Sequence, residues 1–133
     1  MTENITITHE DRQRLGTMLQ SAQAHGWEGR EYLHALETEL ERAQAADPHE
    51  VSRDVVTMNS TVELRDLETG EIEVYTLVYP ERADVSQNRI SVLAPVGTAI
   101  LGCRVGDVVR VSVPSGQRQL RLEEILFQPE RDQ

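Results

Sequence analysis

The sequence predicts an α+β protein, in which an N-terminal antiparallel helical hairpin precedes an antiparallel β-sheet domain with one short helix. Leucines recur at spacings of three and four within the first 46 residues, which is typical of amphipathic helices. Residues 55–127 instead hold alternating β-branched runs between turn residues, which indicates strands. The residues between these regions are polar and contain a proline. We therefore expect a hairpin at 1–46, a linker at 47–54 and a sheet domain at 55–133.

The first segment opens with a short predicted strand and a helix start. Ile5-Thr6-Ile7 alternates in polarity, which predicts the strand. Thr8 and Asp11 have the spacing of a capping box, in which the hydroxyl accepts a main-chain N–H and the carboxylate favours the positive end of the helix. The apolar face of this helix consists of Leu15, Met18, Leu19 and Ala22.

A five-residue break, His25–Gly29, separates this helix from a second one. The second helix carries Leu33, Leu36, Leu40 and Ala43, whose three-four-three spacing forms a coiled-coil seam. Because both apolar stripes are buried when the helices fold back on each other, we expect a short antiparallel coiled coil. Helices of about 15 residues would make it roughly 22 Å long.

The sheet domain begins with Val62 and Leu64, which alternate with charged residues. A turn is predicted at Glu68–Gly70. The next strand, Ile72–Tyr79, is expected to run antiparallel to the first, with Glu71 and Glu73 facing water.

A third strand is predicted at Arg89–Leu93. The segment Pro95–Leu101 then has a short helical pattern that ends before Gly102. Proline at the start and glycine just after the end are the residues that helices prefer at these positions.

The last two strands, Asp107–Val113 and Leu120–Phe127, are expected to pair across Pro114–Gly116. In the final strand the spacing of apolar residues changes between Leu122 and Ile125. This change of phase predicts a β-bulge.

The charge of the chain excludes several classes of function. It has 23 acidic and 13 basic residues, a formal net charge of −10, and every basic residue is arginine. Such an acidic surface repels phosphate, so we expect no independent high-affinity binding of nucleic acid. The absence of lysine from the sequence excludes a P-loop and Schiff-base chemistry.

Cysteine and histidine usage predicts neither a disulfide nor a metal site. Cys103 is the only cysteine in the sequence, and the four histidines have no i, i+4 ligand spacing. The interpretation favoured for this thiol is inert packing. No apolar run approaches the roughly 20 residues of a membrane span, and no signal pattern opens the chain, so we expect a cytoplasmic protein without a membrane contact.

From Asp54 to Phe127 the chain resembles the C-terminal domain of the Gre transcript-cleavage factors. The stretches that carry this resemblance are Gly70-Glu71, Arg89-Ile90-Ser91-Val92-Leu93, Pro95-Val96-Gly97, Ala99-Ile100-Leu101-Gly102, Val105-Gly106-Asp107 and Val113-Pro114-Ser115-Gly116. Other stretches resemble a narrower relative, the regulator of nucleoside diphosphate kinase family. These are Asp54-Val55-Val56-Thr57-Met58-Asn59-Ser60, Leu77-Val78-Tyr79-Pro80, Ala94-Pro95-Val96-Gly97 and Phe127-Gln128-Pro129-Glu130, with a looser match at Glu39–Gln44.

The resemblance implies a Gre-type FKBP-like domain at 55–133, whose sheet wraps on the short helix and which binds bacterial RNA polymerase beside its secondary channel. It implies no cofactor. The polymerase contact would lie at a strand-to-helix corner that consists of Leu93, Ala94, Pro95, Val96 and Gly97. The residues alone leave two interpretations of this corner open, a contact surface or a part of the core.

Departures from the Gre pattern bear on activity. Gre factors have a much longer hairpin, whose acidic tip reaches the polymerase active site, and they usually have serine at the position of Ala94. The resemblance therefore implies a non-catalytic regulator that competes with Gre factors. The alternatives are a Gre-like factor that stimulates transcript cleavage and, less favoured, a peptidyl-prolyl isomerase, which needs a ring of aromatic residues. The sheet domain offers Tyr75, Tyr79 and Phe127.

The expected hairpin tip contains His25, Trp27, Glu28 and Glu31. The two glutamates are either a truncated metal-holding tip or ordinary partners of the helix dipole, and their position early in a helix favours the dipole. Trp27 either fills the space between the helix ends or contacts a partner. We expect no metal site and no catalytic residue at this tip.

Overall fold

The computed structural model describes residues 6–24, 32–47 and 50–132. The fold is mixed α+β, as predicted, and the chain forms two compact units, Met1–Val51 and Ser52–Gln133. None of the helices in the described ranges is long and apolar enough to cross a membrane.

The first unit contains four elements: β1 (Thr6–Thr8), α1 (His9–Ala24), α2 (Tyr32–Arg42) and β2 (Gln44–Ala46). β1 and β2 pair in parallel, with Ile7 opposite Ala45, which lies 38 residues later in the chain. The sequence predicted β1 but not β2, and it wrongly continued the second helix through Ala43. Gln-Ala-Ala has little strand preference of its own, so β2 depends on its distant partner.

The leucines of α1 and α2 form the core of this unit. The main-chain N–H of Asp11 donates to Thr8 Oγ1 at 3.1 Å, which confirms the predicted helix start. α2 has 11 residues, fewer than the roughly 15 expected from the seam. Residues 25–31, which would join the helices, lie outside the described ranges, so the hairpin stays a prediction. The buried leucines are Leu15, Leu19, Leu33, Leu36 and Leu40.

The second unit is built on a five-stranded sheet. The strands are β3 (Thr61–Asp66), β4 (Ile72–Val78), β5 (Arg89–Ser91), β6 (Val108–Val113) and β7 (Gly116–Phe127), in the spatial order β5-β4-β3-β7-β6. Three of the four pairings are antiparallel, but β5 is parallel to β4, which corrects the fully antiparallel prediction. Two 3-10 turns between β4 and β5 carry the chain back, so that the two strands run in the same direction.

The register of β3 against β4 decides which side chains face the core. Val62 lies opposite Tyr75, and Leu64 lies opposite Glu73. Directly opposed residues share one face of a sheet. Glu73 therefore lies on the core face and is only partly exposed, whereas Val74, one residue later, is 38% exposed. The prediction that Glu73 faces water was wrong. It relied on the polarity of this residue, whereas the turn after β3 sets a register that places Glu73 opposite Leu64, on the core face.

Two register shifts between β3 and β7 confirm the predicted bulge. They leave Glu123 and Leu126 without a directly opposed residue in β3. As a result Leu122 and Ile125 are both buried despite their odd spacing. Phe127, which the same pattern placed inward, is 39% exposed, because the second shift turns it outward.

The short helix α3 (Pro95–Ile100) packs very closely on the end of β5. A Cβ atom at Gly97 would lie 2.1 Å from the carbonyl oxygen of Ser91, closer than any real contact. Only glycine allows this approach. The predicted start at Pro95 is confirmed, and the helix ends at Ile100, with Gly102 just beyond it at a positive φ of 82°.

The end of the described chain is tied to the start of the second unit. A short helix, α4 (Pro129–Asp132), follows β7, and Gln128 between them is buried. The side-chain amide of Gln128 donates to the carbonyl oxygens of Ser52 at 2.8 Å and Val55 at 2.6 Å.

Replacing Gly97 by alanine should destabilise the second unit by about 1–3 kcal/mol, because overpacking of a closed site carries that cost. The measurement is the free energy of unfolding from urea titration. Gly16→Ala in α1 is a matched control, since a Cβ there meets nothing within 4 Å. It should stabilise its helix by about 0.5–1 kcal/mol. A Gly97→Ala variant as stable as the wild type would contradict the close approach.

Candidate functional site

The predicted corner residues are consecutive: Leu93 and Ala94 lie in the turn after β5, and Pro95, Val96 and Gly97 begin α3. Gly97 is buried, and the other four are half-exposed. The corner is therefore not simply core, because it presents apolar atoms to solvent. The predicted polymerase-contacting residues that form this half-exposed surface are Leu93, Ala94, Pro95 and Val96.

Polar bonds of the neighbouring residues fix the shape of the corner. Ser91 accepts the main-chain N–H of Leu93 on its hydroxyl and that of Ala94 on its carbonyl, each at 3.0 Å. The hydroxyl of Thr98 donates to the carbonyl oxygen of Val92 at 2.6 Å. These bonds hold the backbone of the corner, which carries the half-exposed apolar side chains.

The thiol that follows α3 has no catalytic character. The Sγ of Cys103 donates to the carbonyl oxygen of Ala99 at 3.2 Å. Burial, with a smaller contribution from the Asp107 carboxylate, raises the pKa of Cys103 to about 12. The thiol is therefore protonated at neutral pH and a poor nucleophile, in agreement with the predicted packing role.

A charged network that sequence reasoning missed lies on the core face of the sheet. Arg118 of β7 donates to Asp66 Oδ2 at 3.1 Å and also to the carboxylate of Glu73. The hydroxyl of Tyr75 donates to Glu73 at 2.8 Å. The registers of β3 against β4 and against β7 bring these groups together. A correct pairing of Leu64 with Glu73 was the signal that could have revealed the network.

The groups of this network have perturbed pKa values. Main-chain N–H donors from Glu68 and Thr69, followed by Arg118, lower the pKa of Asp66. Burial, followed by the bond to Glu73, raises the pKa of Tyr75. The bond to Glu73 also raises the pKa of Arg118. The single guanidinium of Arg118 bridges both carboxylates, so the arrangement is a structural clamp across three strands.

The predicted tip residues His25, Trp27, Glu28 and Glu31 lie outside the described residues, so both interpretations of the tip stay predictions. Within the described ranges, no three histidine, cysteine, aspartate or glutamate side chains come together as a metal site.

Two family models together match most of the sequence. The model described as "Transcription elongation factor, GreA/GreB, C-term" matches residues 50–127. The model described as "Rnk N-terminus" matches residues 3–45. The first match therefore includes every strand of the second unit, α3 and the corner.

Relatives and a solved structure match the chain over nearly its whole length. The regulator of nucleoside diphosphate kinase of Escherichia coli K12 is 42% identical over 127 residues, which are 95% of this chain and 91% of that protein. Transcription elongation factor GreA of Chlorobium phaeobacteroides is 37% identical, over 92% of this chain and 87% of that protein. The structure of the prokaryotic transcription elongation factor GreA/GreB from Nitrosomonas europaea has a TM-score of 0.78 and 40% identity, and the match covers 92% of this chain and 99% of that one.

The clamp predicts how acid affects stability. The pKa of Asp66 lies below its ordinary value of 3.8 in the folded chain, so this group stabilises the fold above pH 3.8 and loses that effect as the pH falls through the lowered value. Asp66→Asn should therefore be less stable than the wild type at pH 7 and lose less stability below pH 3.8. The measurement is the unfolding free energy between pH 7 and pH 2.5.

Glu68→Gln is the matched control, because Glu68 is an exposed acid of the same turn. It should follow the wild type at every pH. If Asp66→Asn also follows the wild type, the contacts of Asp66 contribute nothing to stability.

Proposed function

Because the chain belongs to the family of regulators of nucleoside diphosphate kinase and carries the GreA/GreB C-terminal domain, we propose that it regulates transcription elongation by binding RNA polymerase. The contact is the corner formed by Leu93, Ala94, Pro95, Val96 and Gly97, and it lies near the secondary channel. The protein is a non-catalytic competitor of the Gre cleavage factors.

The observation that carries this proposal is the extent of the GreA/GreB match. It spans residues 50–127, which include the corner and the whole sheet that supports it. A relative named as a transcription elongation factor also matches 92% of the chain. The partly exposed apolar side chains of the corner supply what a protein partner buries, and the hydrogen bonds to Ser91 hold the backbone that carries them.

The lengths of the helices support a role without cleavage. α1 has 16 residues and α2 has 11, which correspond to about 24 Å and 17 Å at 1.5 Å per residue. In this proposal the two helices form a short antiparallel hairpin, and the second unit has the FKBP-like arrangement of a sheet around α3. A tip on so short a hairpin stays at the channel mouth, far from the catalytic metal of the polymerase.

The likeness to GreA favours one second candidate, a factor that stimulates transcript cleavage. The isomerase alternative has no such support, because the aromatic residues of the sheet domain do not surround one pocket. Tyr75 is engaged in the charged clamp, Tyr79 is buried, and Phe127 is exposed at the end of β7.

Val96→Asp should weaken binding to purified RNA polymerase about 30-fold, since loss of a central apolar contact typically costs about 2 kcal/mol. The measurement is an equilibrium titration of the full chain against core polymerase, together with a thermal melt of each variant. The melting temperature should change by only a few degrees, because Val96 is half-exposed.

Val85→Asp is the matched control, because it introduces the same charge at a residue that is 86% exposed and lies in a 3-10 turn outside the corner. It should bind as the wild type does. Should Val96→Asp unfold, or bind with unchanged affinity, the corner is not the contact.

The protein should not accelerate RNA cleavage by backtracked polymerase, and it should inhibit cleavage that a Gre factor stimulates. Misplacing a catalytic group by 1 Å can cost about a hundredfold in rate, so acids at the channel mouth give no catalysis. The measurement is the rate of transcript shortening, with and without a Gre factor, and excess Gre factor should relieve the inhibition.

The double variant Glu28→Ala/Glu31→Ala separates the two candidates. If the protein is a competitor, the double variant inhibits as well as the wild type. Acceleration of cleavage by the wild type, lost in the double variant, would instead establish the cleavage factor.

A further inference from the structure

The outer edge of β6 has main-chain groups that no described residue pairs. β6 and β7 are joined through Pro114 and Ser115, with Val113 opposite Gly116. In such a two-residue hairpin the closing pair is hydrogen-bonded, and the bonded pairs then alternate. The N–H and C=O groups of Val109, Val111 and Val113 thus point to β7. The groups that point away from the sheet belong to Val108, Arg110 and Ser112.

The bond from the Leu122 N–H to the Asp107 carbonyl oxygen, at 2.9 Å, continues the same alternation and supports this assignment. The three residues that carry the outward main-chain groups are all exposed, with Val108 at 50%. No described residue forms a backbone hydrogen bond with their outward groups.

This edge lacks most of the features that usually protect a sheet edge, and its one charged side chain is that of Arg110. Natural edge strands are kept very short, or are interrupted by proline or a bulge. The opposite edge, β5, follows this rule with three residues. β6 has six residues of sequence Val-Val-Arg-Val-Ser-Val, without proline and in continuous register with β7. It is therefore the available template for another strand.

The charge at this edge indicates what kind of strand fits. Arg110 lies at its middle, is exposed, and has no ion-pair partner among the described residues. By contrast, Arg118 is held by Asp66 and Glu73, and Arg121 is held by Glu123. A carboxylate on an added strand, opposite or diagonal to Arg110, would give this guanidinium an ion-pair partner.

Two other occupants fit less well. A second copy paired through β6 would bring two Arg110 guanidinium groups onto one small area, and like charges across strands are destabilising. A nucleic acid needs several free cations along its backbone, but the other arginines of the β6–β7 hairpin are engaged. An extended peptide with a single carboxylate at Arg110 satisfies both the main-chain groups and the charge, whereas a run of acids would be repelled by a chain of net charge −10.

We propose that β6 accepts an extended segment of RNA polymerase, with a carboxylate placed at Arg110, as a sixth strand of the sheet, an inference that rests on the proposed function. α3 packs against β6 and spans only about 9 Å, so the corner at its N-terminus lies close enough for one partner to cover both. Main-chain bonds at the edge then add to the apolar contact at the corner.

The test combines hydrogen exchange with substitutions at the edge, on the full chain with purified core polymerase. The amides of Val108, Arg110 and Ser112 should exchange rapidly in the free protein and at least tenfold more slowly in the complex. Arg110→Pro removes one outward donor and leaves the bonds to β7 intact, as edge prolines do. It should weaken binding at least tenfold.

Arg110→Glu leaves the backbone unchanged and should also weaken binding at least tenfold, so the charge argument is tested even if the proline variant unfolds. Val85→Pro is the proline control. Its site begins a 3-10 turn after Asp84, whose extended backbone suits a following proline. It should bind as the wild type does.

Each outcome decides something. If the wild type binds polymerase but the β6 amides stay unprotected, or Arg110→Glu binds normally, the added strand is wrong and the proposed function stands. If the wild type does not bind, both proposals fail. If the free chain is a dimer that Arg110→Pro dissociates, the edge binds a second copy and the proposal is overturned. It is also overturned if a single-stranded RNA protects the same amides while polymerase does not, because the edge then binds nucleic acid.

Discussion

The contact between Gly97 and Ser91 is the constraint on which the candidate site depends. With 2.1 Å between the Ser91 carbonyl oxygen and a hypothetical Cβ, α3 can lie against β5 only because that atom is missing. The same carbonyl accepts the N–H of Ala94 and so fixes where the helix begins. The orientation of the apolar corner, and the packing of α3 against β6, both follow from a contact that no apolar side chain makes. The shape of this corner is thus set by main-chain contacts.

The strand registers have a similar effect on the rest of the second unit. The turn after β3 places Glu73 on the core face, where a carboxylate is costly unless it is paired. Arg118, three strands away along the chain, supplies the charge and binds Asp66 as well. The two shifts in β7 then return Leu122 and Ile125 to the core. Strand pairing therefore decides which side chains face the core. Where it places a charged side chain there, as at Glu73, the clamp supplies the opposite charge.

Features that depend on nearby residues could be predicted from the sequence. The Thr8 cap, the alternation around Leu64 and the change of phase before Ile125 were all predicted correctly, because each signal lies within a few residues. Three features were not predicted, because each depends on a partner far along the chain. They are β2, the parallel direction of β5 and the inward position of Glu73. For the site, the corner was predicted from the resemblance and its role stays a prediction, whereas the clamp and the open edge are visible only once strand order is known.

The position of β7 sets the order in which the two units can fold during synthesis. Every element of the first unit lies within the first 51 residues, so its sheet pair and helices are available early. β7 is the last described strand to leave the ribosome, yet it lies between β3 and β6 and joins the two parts of the sheet. Gln128, which binds Ser52 and Val55, emerges later still. In a nascent chain that ends before β7, the strands β5, β4 and β3 have no pairing with β6. The hydrophobic residues of this unit stay exposed until β7 is synthesised.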